Sequence, residues 1–186
     1  MKMKLYIISA WSILDPVYYT FTRLQYLKQT EKKKTIFRVR LTRYKGREVV
    51  LSDGTIIKKN DTLVKIHLHN VQLLKELYNI NNDIKRAVVV YKKIKESLPY
   101  LASYVEQHKK KEQIKGIIGI TMLNRGSERL GFESFSITSR LYIWFKQLAL
   151  FPIFLISSSN PARQKNKSPN YLFMSTKSLL GKYGKV

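Results

Sequence analysis

The amino-acid sequence contains no cysteine and only three histidines. Without cysteine, the chain cannot form a disulfide, a zinc site with thiolate ligands or a thiol nucleophile. It also lacks the G-x-S-x-G elbow, the P-loop, the glycine fingerprint of dinucleotide-binding folds and the H-E-x-x-H zinc motif. The sequence therefore implies no metal and no cofactor, and it fits none of the enzyme classes that these motifs mark.

Acidic residues are also few. Twelve Asp and Glu stand against 35 Lys and Arg, for a formal net charge of +23, and beyond Glu133 the chain has no acidic residue. Such a surface attracts phosphate polymers and anionic lipid headgroups. Lysine outnumbers arginine by 25 to 10, however, and Ile, Asn and Tyr are abundant, a composition that an AT-biased genome produces without selection for binding. A merely solvated basic surface is favoured, and non-specific polyanion contact and membrane attraction stay open.

No hydrophobic run is long enough to cross a membrane. The most apolar stretch, residues 141–156, is shorter than the roughly 20 residues that a span requires, and it contains Lys146 and Pro152. Residues 1–14 resemble a signal peptide, but Asp15 and Pro16 end that stretch without a cleavage pattern. We expect an N-terminal amphipathic helix, no transmembrane span and a cytoplasmic protein, at most peripheral to the membrane.

The centre of the chain reads as strands and turns. Phe37, Val39 and Leu41 alternate with polar residues, the period-two signature of a half-buried strand. Asp53 and Gly54 predict a hairpin turn, and Asn60-Asp61 predicts a second turn before the strand at 62–69. The nearly continuous apolar run at 114–123 is typical of a buried central strand.

Helices are predicted after the histidine strand. Asn70 can cap the first, and Asn82 or Asp83 can cap a longer one, which Pro99 kinks or divides. The longer helix is expected to bury an apolar stripe formed by Ile84, Val88, Tyr91, Ile94 and Leu98. The whole pattern predicts an α+β fold, with a mainly antiparallel sheet covered by helices on one face. Residues 1–156 form this domain, and the polar loop and basic strand–helix segment of residues 157–186 pack on it.

The stretch "VKIHLHN", residues 64–70, holds two of the three histidines. His67 and His69 lie on one face of the predicted strand, about 6–7 Å apart at Cα. They are only two ligands for a metal, although Asp53 or Asp61 could add a third. As a titrating group His67 can act as an acid or base if an acidic partner such as Asp61 orients it.

The stretch "FRVRLTRYKGR" interleaves basic and aromatic residues, as single-strand nucleic-acid platforms do. Arg38, Arg40 and Arg43 are expected outside, with Tyr44 near a turn. An amphipathic edge strand with basic residues outward explains the same pattern and is favoured.

A resemblance covers most of the chain. The sequence resembles the YkoP family of Bacillus and related Firmicutes, whose members are small proteins and whose domain is also appended to some polysaccharide deacetylases. The ordered motifs that carry the resemblance are "WSILDPVYYTFTRLQY" (11–26), "IFRVR" (36–40), "LSDGTIIKKNDTLVKIHLHN" (51–70), "SLPYLASYV" (97–105), "IKGIIGITMLNRGSERLGFE" (114–133) and the terminal "YLFMSTKSLLGKYG".

The resemblance implies a set of polar motif residues. These could line a pocket for an anionic or carbohydrate ligand, or could instead form structural pairs and caps: Asp15, Arg23, Asp61, His67, Asn70, Arg125 and Arg129. Where the family has Gly-Asp before the histidine strand, this chain has Asn60-Asp61, and asparagine tolerates the left-handed conformation that such a turn needs. The family fills the position of His69 more freely, which removes the second metal ligand.

Three functions follow as hypotheses. The leading one is a non-catalytic accessory or ligand-binding protein associated with envelope or spore polysaccharide metabolism. It is not itself a polysaccharide deacetylase, because its three histidines cannot form the metal site of that chemistry. The second is a small enzyme with His67 as acid/base and Asp61 as its partner. The third is a basic module that contacts nucleic acid or an anionic membrane. The sequence leaves the oligomeric state undetermined.

Overall fold

A computed structural model of the protein describes residues 9, 12–13, 16, 24–28, 34–121, 126–138, 143–144 and 168–184. Within them lie eight strands: β1 (Gln25–Lys28), β2 (Lys34–Arg43), β3 (Val49–Val50), β4 (Ile56–Ile57), β5 (Thr62–Leu68), β6 (Ile114–Thr121), β7 (Glu133–Ser136) and β8 (Asn170–Ser175). The same residues include three α-helices: α1 (Asn70–Leu77), α2 (Asp83–Glu106) and α3 (Thr176–Tyr183). Two short 3₁₀ turns, Lys111–Gln113 and Glu128–Leu130, precede β6 and β7.

Six strands form one mixed sheet in the order β1-β2-β5-β6-β8-β7. The β5–β6 pairing is parallel, and the other pairings in this sheet are antiparallel. Parallel neighbours require a crossover, and α1 and α2 supply it between β5 and β6. Among the described strands, β3 and β4 pair with each other as a separate hairpin. The predicted α+β class, with a mainly antiparallel sheet, is confirmed.

The main core lies between the sheet and the helices. Phe37 and Val39 of β2 are fully buried there, beside Val64 of β5, and they meet Leu98 and Leu101 of α2. The alternation read from the sequence therefore places β2 correctly: its apolar positions face the helices and its basic positions face the other way. Helix α3 packs on the same side, through Leu179 and its contacts with α2, β6 and β8.

A second, smaller core lies on the opposite face of the sheet. The β3–β4 hairpin folds over this face and buries six residues together: Tyr44, Leu51, Ile57, Leu63, Ile118 and Phe173. The hairpin at Asp53-Gly54 is as predicted, with Gly54 at a φ of 81°. Its docking over the sheet is a long-range contact that local sequence patterns do not specify.

Asp53 fixes the hairpin tip to the end of β8. Its carboxylate accepts hydrogen bonds from the hydroxyls of Ser175 and Ser178 and from the backbone N–H of Thr55. Partial burial raises the pKa of Asp53, but these hydrogen bonds outweigh burial and lower the pKa to about 2. Because Ser175 is the N-cap of α3, these hydrogen bonds also place the negative charge of Asp53 at the positive end of that helix.

Two turn and cap predictions have different outcomes. Asn60 adopts a φ of 71°, the left-handed conformation expected of it before the histidine strand. Asn82 caps α2 by accepting from the N–H of Lys85, also as predicted. The cap predicted at Asn70 is wrong by one residue, because Asn70 begins α1 and His69 occupies the N-cap position.

The prediction that α2 buries an apolar stripe along its length is wrong for the first turns of the helix. Ile84 and Val88 are 75% and 46% exposed, whereas Leu98 is fully buried. The fully buried apolar residues of the helix lie in its second half, and Val90, Tyr91 and Ile94 pack half-buried against the main core. Only the first turns, at Ile84 and Val88, project from it. Pro99 lies inside one continuous helix and does not divide it.

Two predicted helices fall mainly outside the described residues. For the N-terminal helix, Ser9, Ser12, Ile13 and Pro16 are described and are helical. For the helix at 140–156, residues 143 and 144 are described and are helical. Among the helices that the structure describes, none has the length and apolarity to cross a membrane.

Two glycines make a matched test of this fold. A Cβ on Gly116 would lie 2.6 Å from the backbone oxygen of Met174 on the neighbouring strand, whereas a Cβ on Gly181 of α3 meets nothing within 4 Å. We expect Gly116→Ala to lower the free energy of unfolding by roughly 1–3 kcal/mol. Gly181→Ala should raise it by roughly 0.5–1 kcal/mol through helix propensity. Urea denaturation followed by circular dichroism measures both, and equal effects of the two substitutions would contradict the β6–β8 register.

Candidate functional site

His67 lies in a group of basic side chains on the sheet face that points away from the helices. In the antiparallel pair β2–β5, Arg38 is the direct partner of His67 and Arg40 is the direct partner of Lys65. Directly paired residues have Cα atoms about 4.5–5.5 Å apart, with side chains on the same face. We call Arg38, Arg40, Lys65 and His67 the cationic face.

The cationic face places like charges opposite each other on paired strands. Like charges directly opposite each other on paired strands destabilise a sheet. Arg38 is only 2% exposed and the other three side chains are half-buried, so solvent screens them less than it screens surface lysines. Neither β2 nor β5 contains an acidic residue. The two paired strands therefore concentrate positive charge at this place in the sheet.

Tyr26 and His69 extend the group on both sides of Arg38. Tyr26 of β1 is the direct partner of Arg38 on β2, accepts a hydrogen bond from its guanidinium and offers its ring 4.8 Å from the guanidinium carbon. On the other side, Nη2 of Arg38 lies 3.0 Å from Nε2 of His69. The rings of Tyr26 and His69 are 5.6 Å apart. These contacts hold the guanidinium of Arg38 in one place.

Two contacts of His69 bear on which of its ring nitrogens carries the proton. Arginine only donates, so the 3.0 Å contact with Arg38 needs a lone pair on Nε2 of His69, and in a neutral imidazole the proton is then on Nδ1. Nδ1 also lies 3.4 Å from the backbone nitrogen of Gln72, where it would have to accept a hydrogen bond. A neutral ring cannot accept at both nitrogens. We assign the hydrogen bond to the shorter contact, so His69 orients Arg38.

Asp61, the predicted acidic partner of His67, lies at the other end of the strand. It comes just before β5, whereas His67 is near the end of β5, and six residues of strand separate their Cα atoms by about 20 Å. The carboxylate of Asp61 instead accepts from the backbone N–H of Lys58 at 2.7 Å and pairs with Lys115 at 3.1 Å. The structure does not bring Asp61 and His67 together.

The contacts of Asp61 stabilise its charged form. Partial burial raises the pKa of Asp61, but the N–H of Lys58 and the ammonium group of Lys115 outweigh burial and lower the pKa below its usual value. These partners tie the turn before β5 to β6. Asp61 therefore holds the turn before β5 against β6, a role that we call the staple.

The remaining predicted site residues are dispersed or not described. Asn70 is the first residue of α1, next to His69. Arg129 is exposed in the Glu128–Leu130 turn, and its carbonyl accepts from Lys182 of α3, on the helix side of the sheet and away from His67. Asp15, Arg23 and Arg125 lie outside the described residues.

A cleft of about 530 Å³ lies elsewhere, between the hairpin tip, the start of β7 and α3. Of the residues weighed from the sequence, Asp53, considered as a third metal ligand, lines it. Two of its carboxylates join the hairpin to the rest of the domain: Glu133 accepts from the backbone and hydroxyl of Ser52 at 2.9–3.0 Å, and Asp53 accepts from Ser175 and Ser178. The cleft lies where the hairpin packs against the rest of the domain. The cationic face is the better candidate site.

Sequence reasoning found His67 but missed the residues that surround it. Arg38 and Arg40 were read as the outer side of an edge strand, although β2 is an interior strand with β1 and β5 on either side. The available signal was the shared period of two, since Arg38, Arg40, Lys65 and His67 all alternate with apolar residues. In the described part of the chain, no three His, Asp or Glu side chains converge as a metal site would require.

Comparison with known proteins gives a family. The YkoP domain matches residues 4–183. The chain is 45% identical over 183 residues to a protein of Bacillus subtilis (strain 168) named "Uncharacterized protein YkoP", covering 98% of this chain and 99% of that protein. No solved structure matches the chain.

Asp61→Asn tests the role of Asp61 as a staple. A carboxylate whose pKa is lowered by folding adds stability above its unfolded pKa, about 3.9, and this stability is lost as the pH falls through the folded value. We expect Asp61→Asn to lower the free energy of unfolding by roughly 0.5–1.5 kcal/mol at neutral pH, and the difference to shrink below about pH 4. Glu112→Gln, at a side chain that is 89% exposed, is the control and should change little. A deficit that does not depend on pH would contradict the staple.

Proposed function

We propose that this protein, which belongs to the YkoP family, is a non-catalytic binding protein for an anionic ligand. The observation that carries the proposal is the direct cross-strand register that sets Arg38 beside His67 and Arg40 beside Lys65. Two adjacent strands thereby concentrate positive charge and hydrogen-bond donors on one half-buried patch, where charge-assisted hydrogen bonds are stronger than at the open surface.

The types of donor on the cationic face favour phosphate or carboxylate. The guanidinium of Arg40 offers a planar fork that matches either group in a bidentate manner, and the ammonium of Lys65 is a compact charge on a flexible stem. His67 adds a ring N–H. Arg38, held by Tyr26 and His69, contributes a fixed positive charge behind them.

The class of ligand to test first is an anionic saccharide. The polysaccharide context implied by the resemblance to deacetylase-associated domains motivates this choice, and a sugar that carries a phosphate or a carboxylate would meet the donors just described. The same donors bind inorganic phosphate more weakly, which makes phosphate the simplest probe.

Among the described residues, the neighbours of His67 favour binding over catalysis. A histidine base is usually oriented by an acceptor such as a carboxylate. The direct strand partner of His67 is Arg38, a cation, and its predicted partner Asp61 lies at the far end of β5.

Binding is tested with matched single-charge variants. Phosphate and a uronate oligosaccharide are titrated against the native chain and against Arg40→Gln, Lys65→Gln and His67→Ala by calorimetry. Loss of one charge-assisted hydrogen bond should weaken binding roughly ten-fold for Arg40→Gln and Lys65→Gln. Lys59→Gln removes one charge from an exposed position on the hairpin side and should change the dissociation constant by less than about three-fold.

Further controls separate folding and chemistry from binding. Arg40→Lys keeps the charge but loses the fork, so it should bind more weakly than the native chain and more tightly than Arg40→Gln. Thermal melts without ligand show whether a variant is folded. Equal weakening by Lys59→Gln and Lys65→Gln, or equal binding of a neutral oligosaccharide, would refute an anion site on the cationic face.

A further inference from the structure

The first half of α2 presents apolar side chains to solvent. Ile84 is 75% exposed and Val88 is 46% exposed, and they lie one helical turn apart on the same side. Single exposed apolar residues are common and need no explanation. Here two adjoin on a helix whose buried residues, apart from Arg86, lie in the second half: Ser97, Leu98, Leu101, Ala102 and Val105.

Exposed lysines continue and flank this apolar pair. Lys92 and Lys95 follow Val88 on the same side at helical spacing, and Lys85 lies beside Ile84. We call Ile84, Lys85, Val88, Lys92 and Lys95 the α2 ridge. Of the acidic residues nearby, Asp83 is bridged to Arg86 at 3.5 Å and Glu76 to Lys93 at 2.7 Å, while Glu96 is exposed on the flank. The ridge therefore combines an apolar end with an excess of positive charge beside and beyond it.

We infer that the α2 ridge docks on the surface of an anionic lipid membrane. A helix that lies in the plane of such an interface buries an apolar strip among the acyl chains and sets its lysines against the headgroups. The 24 residues of α2 span about 36 Å, long enough to lie along the surface while the second half stays in the core. The occupant must offer both negative charge and an apolar phase, and an anionic membrane offers both.

The charge of the ridge argues against the other occupants. A two-fold contact between copies of the chain would set the same three lysines of both copies against each other. A nucleic acid supplies phosphates for the lysines, but its bases bind by stacking on aromatic rings, which the α2 ridge lacks. A nucleic acid gives Ile84 and Val88 no apolar environment, and a two-fold contact could bring these residues together only by bringing the lysines of both copies together as well.

Docking through α2 and binding on the cationic face use opposite sides of the sheet. The helix packs on the side of the sheet that Phe37 and Val39 face, and Arg38 and Arg40 point to the other side. The two surfaces therefore make separate contacts, and failure of one does not decide the other.

Vesicle co-sedimentation measures the contribution of the lysines. The probes are vesicles of phosphatidylcholine alone and vesicles with phosphatidylglycerol as well. Because each lysine near an anionic surface strengthens binding roughly five-fold, the variant with Lys85, Lys92 and Lys95 each changed to Gln should bind anionic vesicles on the order of 100-fold more weakly. The control changes three other exposed lysines to Gln, Lys45, Lys59 and Lys177, and should lose less than about five-fold. Equal losses would mark a generic basic surface and would overturn the inference.

The apolar pair is tested with Ile84→Ser and Val88→Ser together. Because both side chains are exposed, the melting temperature should hardly change, while binding to anionic vesicles should weaken roughly ten-fold. The same variant should bind duplex DNA as the native chain does. If vesicle binding is unchanged by the serines, or if the native chain binds DNA but no vesicles, the partner is a polyanion and the inference fails.

Insertion can be observed directly because the chain has no cysteine. Val88→Cys carries an environment-sensitive fluorophore, and Ser134→Cys, exposed on β7, is the control. We expect a blue shift at position 88 with anionic vesicles and no shift with phosphatidylcholine alone. Position 134 should show no shift with either vesicle. A shift at both positions, or at neither, would overturn docking through α2.

Discussion

The register between β2 and β5 is the constraint on which both sides of the sheet depend. Because side chains alternate with a period of two, a slip of one residue would turn Phe37 and Val39 to the outer face and bring Arg38 and Arg40 into the core. The free energy lost by exposing the apolar residues and burying two guanidinium groups among aliphatic side chains makes that alternative inaccessible. The same pairing that builds the main core therefore assembles the cationic face.

Contacts at both ends of β5 support this register. At the start of β5, the left-handed Asn60 and the carboxylate of Asp61 fix the turn, and Lys115 ties it to β6. At the far end, His69 occupies the N-cap position of α1 while its ring contacts Arg38. The predicted catalytic pair of His67 and Asp61 thus consists of two residues with different tasks at opposite ends of one strand.

Local patterns predicted those parts of the structure whose causes are local. The period of β2, the Asp53-Gly54 hairpin, the Asn60 turn and the α+β class are all set by backbone preferences and the alternation of neighbouring residues. The burial of α2 could not be predicted in this way, because Ile84 and Leu98 have the same periodicity and differ only in whether the sheet lies beneath them.

Long-range contacts were the other part that the sequence did not reveal. The clamp of Asp53 on Ser175 and Ser178 joins residues more than 120 positions apart, and the grouping of Arg38 with His67 depends on which strands pair. Asp53 was read as a turn residue, which it is, and also as a distant metal ligand. Its hydrogen bonds show instead that it anchors the hairpin that forms the second core.

Taken together, the molecule has two basic surfaces of different character on opposite sides of one sheet. The cationic face is half-buried, built on paired strands and rich in arginine, which suits a small anion or an anionic saccharide. The α2 ridge is exposed, rich in lysine and apolar at one end, which suits an extended interface. A formal charge of +23 does not by itself distinguish these uses, and both proposals rest on the positions of the individual side chains.

The most direct test of ligand binding on the cationic face uses the scarcity of histidine. With only three imidazoles in the chain, their NMR signals can be followed individually during titration with phosphate and a uronate oligosaccharide. We predict saturable shifts of His67, a smaller change at His69 through Arg38, and none at His108, which lies just beyond the end of α2. Shifts of equal size at all three histidines, or at His108 alone, would contradict an anion site beside His67.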